Sequence, residues 1–329
     1  MTNNNVTILT DPMPIKQWFL KEWLFIFLRI MRDQLSPPKQ NYNKSKFRGH
    51  PAVTRSLVEG LGILKYNFNY NPRFINQIHK NVIVLSGVKT LKQAIYLKKI
   101  GVINKLYAGP NIVVYASDND FILGSPEIDI VITPCKWVID VYLEDCPLLK
   151  NKIISWPAGV NTNYWTPKKE NNFKNKILIY EKQNKGPVGP VEPYVALLLK
   201  LNYEVKVMKY GNFTHKEFLE NLNESILMIG FVTDESQGLA WSEAWSCDVP
   251  TFIWRNTSNI YNGRKYNCST APYLSDETGL FFDNIYDFEI YVNNFLSGQY
   301  RFHARDWVLK NMSDKVCAKQ LYNHINKLC

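Results

Sequence analysis

Short apolar runs bounded by polar residues recur along the chain, and each reads as a strand buried in a sheet. Val6–Thr10, Val82–Ser86, Ile128–Thr133 and Lys152–Ser155 are of this kind in the first half. Lys176–Tyr180, Tyr203–Met208, Ile226–Phe231 and Thr251–Trp254 follow in the second. The segments between them predict helices over Pro14–Leu35, Gly49–Gly62, Thr90–Ile100, Cys135–Leu143, Tyr194–Leu201, Lys216–Asn223, Leu239–Cys247 and Phe302–Leu328. Ser36-Pro37-Pro38 stops the first helix, Pro51 takes a favoured first-turn position in the second, and Asp248-Val249-Pro250 stops the one that begins at Leu239. A short strand at Lys105–Ala108, a turn at Gly109-Pro110-Asn111 and another strand over Ile112–Ala116 complete the pattern. Strands alternating with helices predict an α/β protein with mostly parallel sheets, covered on both faces.

Length turns one sheet into two. At 329 residues the chain is long enough for two ordinary domains, and Pro157–Pro167 reads as the linker between them. This divides the chain into 1–156, 157–300 and a closing helical segment, 301–329. The content of 46% hydrophobic and 14% aromatic residues argues for filled cores rather than disorder. A net charge of +10 fits nucleic acid, an anionic membrane surface or phosphorylated ligands. The basic residues are spread out, with no five-residue Lys/Arg block, so nucleic acid is not expected as a partner. The six cysteines lack metal-type spacing and read as free core thiols in a reducing, cytoplasmic setting. Met1–Asn5 does not begin a signal peptide. Charges at Lys21, Glu22 and Arg29 leave Trp18–Met31 too interrupted to span a bilayer. That segment reads as a buried helix, or as a basic amphipathic one in peripheral contact with an anionic membrane.

The chemistry concentrates at Glu235–Trp254. A polar turn from Thr233 to Gly238 joins the Ile226 strand to the Leu239 helix, and in parallel sheets such turns at the carboxyl ends of strands hold ligands. Glu235 and Glu243 stand eight positions apart, the second inside the helix. Between them lie the N–H groups of a helix start, which favour an anion. Two acids flanking an anion cradle suit a ligand with hydroxyls at both ends and phosphate between. The plainer reading makes Glu243 a solvated helix acid and Glu235 a partner of the helix dipole.

Glu235-Ser-Gln-Gly-Leu-Ala-Trp-Ser-Glu243-Ala-Trp-Ser-Cys-Asp-Val-Pro250 resembles the Glu-x7-Glu signature of retaining glycosyltransferases of the GT-B fold, family 4-like. Upstream, Pro157-Ala-Gly159-Val-Asn161 followed by Trp165-Thr-Pro167 is similar to that family's inter-domain segment, and Thr278–Phe282 resembles one of its strands. The resemblance implies two Rossmann-like domains with parallel sheets facing across a cleft. The first would lie on the acceptor side and the second would hold the nucleotide-sugar, with the last helix crossing back to the first domain.

By the same resemblance, Lys182 and Lys185 fall where the family places the cations that hold the donor pyrophosphate, with Lys182 in place of an Arg. Glu235 would hydrogen-bond the donor sugar and Glu243 the ribose. Gln237, Gly238 and Leu239 would supply donor contacts, Gln237 standing where Phe is usual. Gly49 and His50, with Arg48 and Arg55 nearby, would form a second phosphate-facing helix start, although alone they read as an ordinary N-terminus. Asp118, Asn119 and Asp120 follow a strand end where acceptor-side groups would lie, and as a bare cluster read as a turn. The family's extra strand–helix pair beside the base pocket is missing, and Arg255–Asn267 has no counterpart.

The expected activity is metal-independent transfer of a sugar, with retention, from a nucleotide-diphosphate donor to a hydroxyl acceptor such as a glycan, a lipid or a small molecule. No cofactor is expected, the nucleotide-sugar being substrate. Two other readings fit the same residues. One is a GT-B sugar-nucleotide epimerase; the other is a non-catalytic basic protein that binds membrane or nucleic acid.

Overall fold

The computed structural model describes residues 5–11, 49–72, 74–168, 175–182 and 190–327. The helix read over Pro14–Leu35, with its Trp18–Met31 portion, lies outside them, as do Arg48, Lys185 and Cys329. Contacts divide the chain into two compact units. One is Met1–Pro134, Ile139–Trp156 and Ala318–Cys329; the other is Cys135–Val138 and Pro157–Cys317.

In the first unit the strands are β1 (Val6–Leu9), β2 (Phe68–Tyr70), β3 (Asn81–Ser86), β4 (Lys105–Asn111), β5 (Ile130–Thr133) and β6 (Ile153–Ser155). They form a parallel sheet in the order β2-β1-β3-β4-β5-β6. Every residue of β1, β3 and β5 is buried, as expected of apolar runs covered on both faces. Helices α1 (Gly49–Ile63), α2 (Val88–Lys99) and α3 (Lys136–Asp145) accompany the strands. The order reverses between β1 and β3, which makes their carboxyl ends the topological switch point of this sheet.

One expectation fails here. Gly109-Pro110 is no turn: β4 continues through it to Asn111, and Ile112–Ala116 is irregular. The glycine serves close approach instead. A Cβ at Gly109 would lie 1.9 Å from the Ile132 carbonyl oxygen of the next strand, so only glycine lets the strands close there.

The second unit holds β7 (Lys176–Lys182), β8 (Glu204–Lys209), β9 (Ser225–Val232), β10 (Thr251–Trp254), β11 (Ser258–Tyr261), β12 (Arg264–Asn267) and β13 (Gly279–Phe282). Five of these form a parallel sheet, β13-β10-β9-β7-β8, while β11 and β12 form an antiparallel hairpin. Its helices are α4 (Glu192–Lys200), α5 (His215–Glu224), α6 (Leu239–Ser246), α7 (Ile285–Leu296) and α8 (Ala304–Asn311); α9 (Asp314–Lys327) runs from this unit into the residues of the first.

Strand β9 shows how the two faces are built. Leu227, Ile229 and Phe231 enter one apolar cluster with Tyr194, Phe252 and Phe288. Met228 and Val232 enter the other, with Trp165, Trp241 and Trp245. Between them Gly230 is a notch: a Cβ there would lie 2.4 Å from Trp241 Cη2. The indole fills that notch and seats α6 on the sheet, with its Nε1–H donating to the Thr270 carbonyl at 2.8 Å.

The helix expected over Phe302–Leu328 is two helices. Met312 and Ser313 leave the helical path to pair with the chain after Gly159, through Val160 N–H to Met312 O (2.9 Å) and Asp314 N–H to Val160 O (3.1 Å). A Cβ at Gly159 would lie 2.6 Å from Asp314 Cα, so this pairing requires glycine. Apolar spacing that continues across the break hides it from the sequence.

Candidate active site

The order of the second sheet reverses between β7 and β9, and the candidate residues gather at the carboxyl ends of those strands. Parallel pairing places Lys182, the last residue of β7, opposite Val232, the last of β9. Glu235 follows three residues on. Its carboxylate accepts a hydrogen bond from Lys182 Nζ at 2.5 Å, and both side chains are largely withdrawn from solvent, 25% and 13% exposed. The ammonium also lies 5.0 Å from the centre of the Tyr210 ring. Burial disfavours the Lys182 charge and is the largest single influence on it. The charge and hydrogen bond of Glu235, with Tyr210 and Asp234 adding, outweigh burial and hold its pKa above the usual lysine value. Lys182 is therefore a fixed cation at neutral pH.

Beyond Glu235 the chain enters α6 through Gly238, at φ 63 in the left-handed region. A Cβ here would lie 2.7 Å from Trp241 Cδ1, so conformation and space both call for glycine. No side chain caps this helix and no acid occupies its first turn. Its leading N–H groups, Leu239 among them, thus add partial positive charge to the end of the sheet where Lys182 stands.

Gln237 turns the other way. Its Oε1 accepts from the Ala158 N–H at 2.9 Å, which fixes the amide orientation, and its buried Nε2 has no hydrogen-bond partner among the described residues. Glu243 is 7% exposed, in the middle of α6, and so is no solvated surface acid. Burial and then the charge of Glu243, with Glu220 adding, raise the Tyr164 phenol above its ordinary pKa. Glu243 thus lies beside the Pro157–Pro167 segment. That segment is fixed by Ser246 Oγ, which donates to Trp165 O at 2.5 Å, and by Arg305, which donates to Trp165 O and Thr162 O at 3.2 and 3.3 Å.

Of the expected site residues, the structure brings Lys182 and Glu235 into contact and sets Gly238 and Leu239 at the adjoining helix start. Gly49 and His50 open α1 in the first unit, both exposed, with Gly49 at φ 54. Asp118-Asn119-Asp120, an Asp-x-Asp triplet, forms a turn in which Asp118 Oδ2 accepts from the N–H groups of Val114 and Tyr115 at 3.0 and 2.9 Å. Among the described residues no three His, Cys, Asp or Glu side chains are grouped so as to hold a metal, and no helix is long and apolar enough to cross a membrane. Cys135, Cys146, Cys247, Cys268 and Cys317 are buried.

Sequence reasoning missed Tyr210 beneath Lys182 and Asp234 beside Glu235. It also left Arg255–Asn267 unread, although Asn262-Gly263 is a strong two-residue hairpin signal.

No protein-family model matches the sequence, and no curated protein matches it. Solved structures do. The chain is similar to a glycosyltransferase from Rickettsia africae ESF-5, with a TM-score of 0.53, 13% identity and 99% of each chain covered. It is similar to the apo form of the lipopolysaccharide outer core galactosyltransferase WaaB, with a TM-score of 0.52 and 12% identity over 99% of this chain and 100% of that one. It is also similar to AviGT4, a glycosyltransferase involved in avilamycin A biosynthesis, with a TM-score of 0.52 and 10% identity over 98% of this chain and 97% of that one. At such identities the shared property is the fold. The chain has the GT-B fold, two α/β domains built on parallel sheets.

Proposed function

We propose that this protein is a retaining, metal-independent glycosyltransferase, family 4-like, that moves a sugar from a nucleotide-diphosphate donor to a hydroxyl acceptor. The observation that carries the reading is the Lys182–Glu235 pair at the β7/β9 switch point, beside an uncapped helix start. The activity named for the three similar structures supports it.

The physical problem in such a transfer is the leaving group. As the glycosidic bond to phosphate breaks, negative charge grows on the phosphate while the sugar becomes oxocarbenium-like. Lys182 and the amides at Gly238 and Leu239 offer preorganised positive charge to that phosphate. An ammonium has three N–H groups and Glu235 takes one, which leaves donors for phosphate oxygens. The second carboxylate oxygen of Glu235 then accepts from hydroxyls of the donor sugar. Lys185 would add a second cation and Glu243 would hold the ribose. With the phosphate face so stabilised, the acceptor attacks from the leaving-group side and a phosphate oxygen takes its proton, which retains configuration.

Thermal-shift measurement against UDP-, GDP-, ADP- and TDP-sugars tests this. A donor present at a hundred times its Kd stabilises the native state by about 2.7 kcal/mol through mass action. At least one of the four is expected to raise the melting temperature clearly. A flat response to all four overturns the reading.

A further inference from the structure

The loop carrying Glu235 is held by the stretch of chain that the family resemblance leaves unmatched. Asp234, its immediate neighbour, receives two hydrogen bonds on one oxygen, from Asn259 Nδ2 at 2.7 Å and from the Tyr266 hydroxyl at 2.6 Å. Asn259 and Tyr266 are directly opposed across the β11–β12 hairpin, so both donors project from one cross-strand pair. The base of the hairpin completes the hold. Asn256 Nδ2 donates to the Thr233 carbonyl at 2.7 Å, and the Glu235 N–H donates to the Ser269 carbonyl at 2.9 Å. Three consecutive residues, ending at Glu235, are thus fixed by the segment 256–269. A carboxylate accepting two short hydrogen bonds is a stiff anchor.

We propose that the β11–β12 hairpin positions Glu235 for the transfer reaction, acting through Asp234, with Tyr266 and Asn259 as positioning residues. This rests on the function proposed above. Neither residue needs to touch substrate. Their effect is to keep the Glu235 carboxylate where it meets both Lys182 and the donor sugar, and reactivity falls steeply when such a group is displaced by even an ångström. The hairpin therefore acts on turnover more than on donor affinity.

The test is a double-mutant cycle on the full-length protein. Release of nucleoside diphosphate is followed from whichever of UDP-, GDP-, ADP- or TDP-glucose the wild type turns over. Tyr266→Phe keeps the ring in place and removes one donor; it is expected to lower kcat about tenfold and leave the donor KM within about threefold. Tyr266→Phe with Asn259→Ala is expected to lower kcat on the order of a hundredfold. In a Glu235→Gln background neither change is expected to lower turnover further, because the hairpin acts through that carboxylate. Losses of equal size in both backgrounds would show a merely structural role and overturn the inference, as would unchanged kcat in both hairpin variants. If the wild type turns over a donor and Glu235→Gln does so equally well, the assigned role of Glu235 fails, and the hairpin inference with it. If no donor is turned over at all, the proposed function itself falls.

Discussion

The two switch points of this molecule have the same topology, and the residues described around them differ in chemistry. In the first unit the carboxyl end of β1 carries, on its β2 side, an uncharged network. Asn71 Oδ1 accepts from the Thr10 N–H and Asn71 Nδ2 donates to Thr10 Oγ1, both at 2.9 Å, while Thr10 Oγ1 and the Tyr70 hydroxyl lie 3.0 Å apart. Beyond β3, Gly87 at φ 94 fits closely under Asp11, where a Cβ would come within 2.4 Å of the Asp11 Cβ. The buried Thr90 Oγ1 and Asn111 Nδ2 beside it have no partner among the described residues. In the second unit the corresponding place holds a half-buried ion pair and an uncapped helix start. Topology sets where a ligand can bind; the side chains placed there decide its charge. Among the described residues, only the second switch point offers a fixed cation, and it suits a phosphate.

Substitutions that erase the difference should show it. The largest effect is expected from Glu235→Gln, which keeps the size of the side chain and removes the charge; sugar transfer should fall about 10²–10³-fold, as when one stabilising polar group is lost from a preorganised site. A steady-state assay checks this, and a loss below threefold would place Glu235 outside the chemistry. In the first unit, Thr90→Val should instead stabilise the protein by about 1 kcal/mol, because it replaces a buried hydroxyl that has no partner among the described residues by an isosteric methyl. Urea unfolding measures this, and a destabilised variant would mean that the hydroxyl has a partner after all. The smallest effect concerns pH. Since the folded-state pKa of Lys182 lies above the ordinary 10.5, the stability it contributes is fully present below 10.5 and is lost as pH rises through the folded value. Melting curves from neutral to alkaline pH should therefore converge for wild type and Lys182→Met above that value. A gap that stays constant with pH would contradict the assignment.

Much of the fold was legible because its strands are buried on both faces and so appear as unbroken apolar runs, as in β3 and β9. The misreadings share one cause, residues that serve tertiary contact rather than local conformation. Gly109 looked like a turn and is a point of close strand approach. Met312-Ser313 looked helical and pairs with Val160. The hairpin was unread because Ser258–Tyr261 and Arg264–Asn267 are polar and lack apolar alternation, although Asn262 and Gly263, both at positive φ, were visible as its turn. The candidate site was legible as two separate motifs. Their meeting was not, because 53 positions separate Lys182 from Glu235 and only the pairing of β7 with β9 closes that distance.

The central claim is that Lys182, held by Glu235 at the second switch point, binds the diphosphate of a nucleotide-sugar. Calorimetric titration of wild type and Lys182→Met with UDP-, GDP-, ADP- and TDP-glucose tests it most directly. At least one of these should bind the wild type, and the variant should bind it at least tenfold more weakly, as expected when a charge-assisted contact worth about 1.5–3 kcal/mol is removed. Equal affinity in the two proteins would contradict the account.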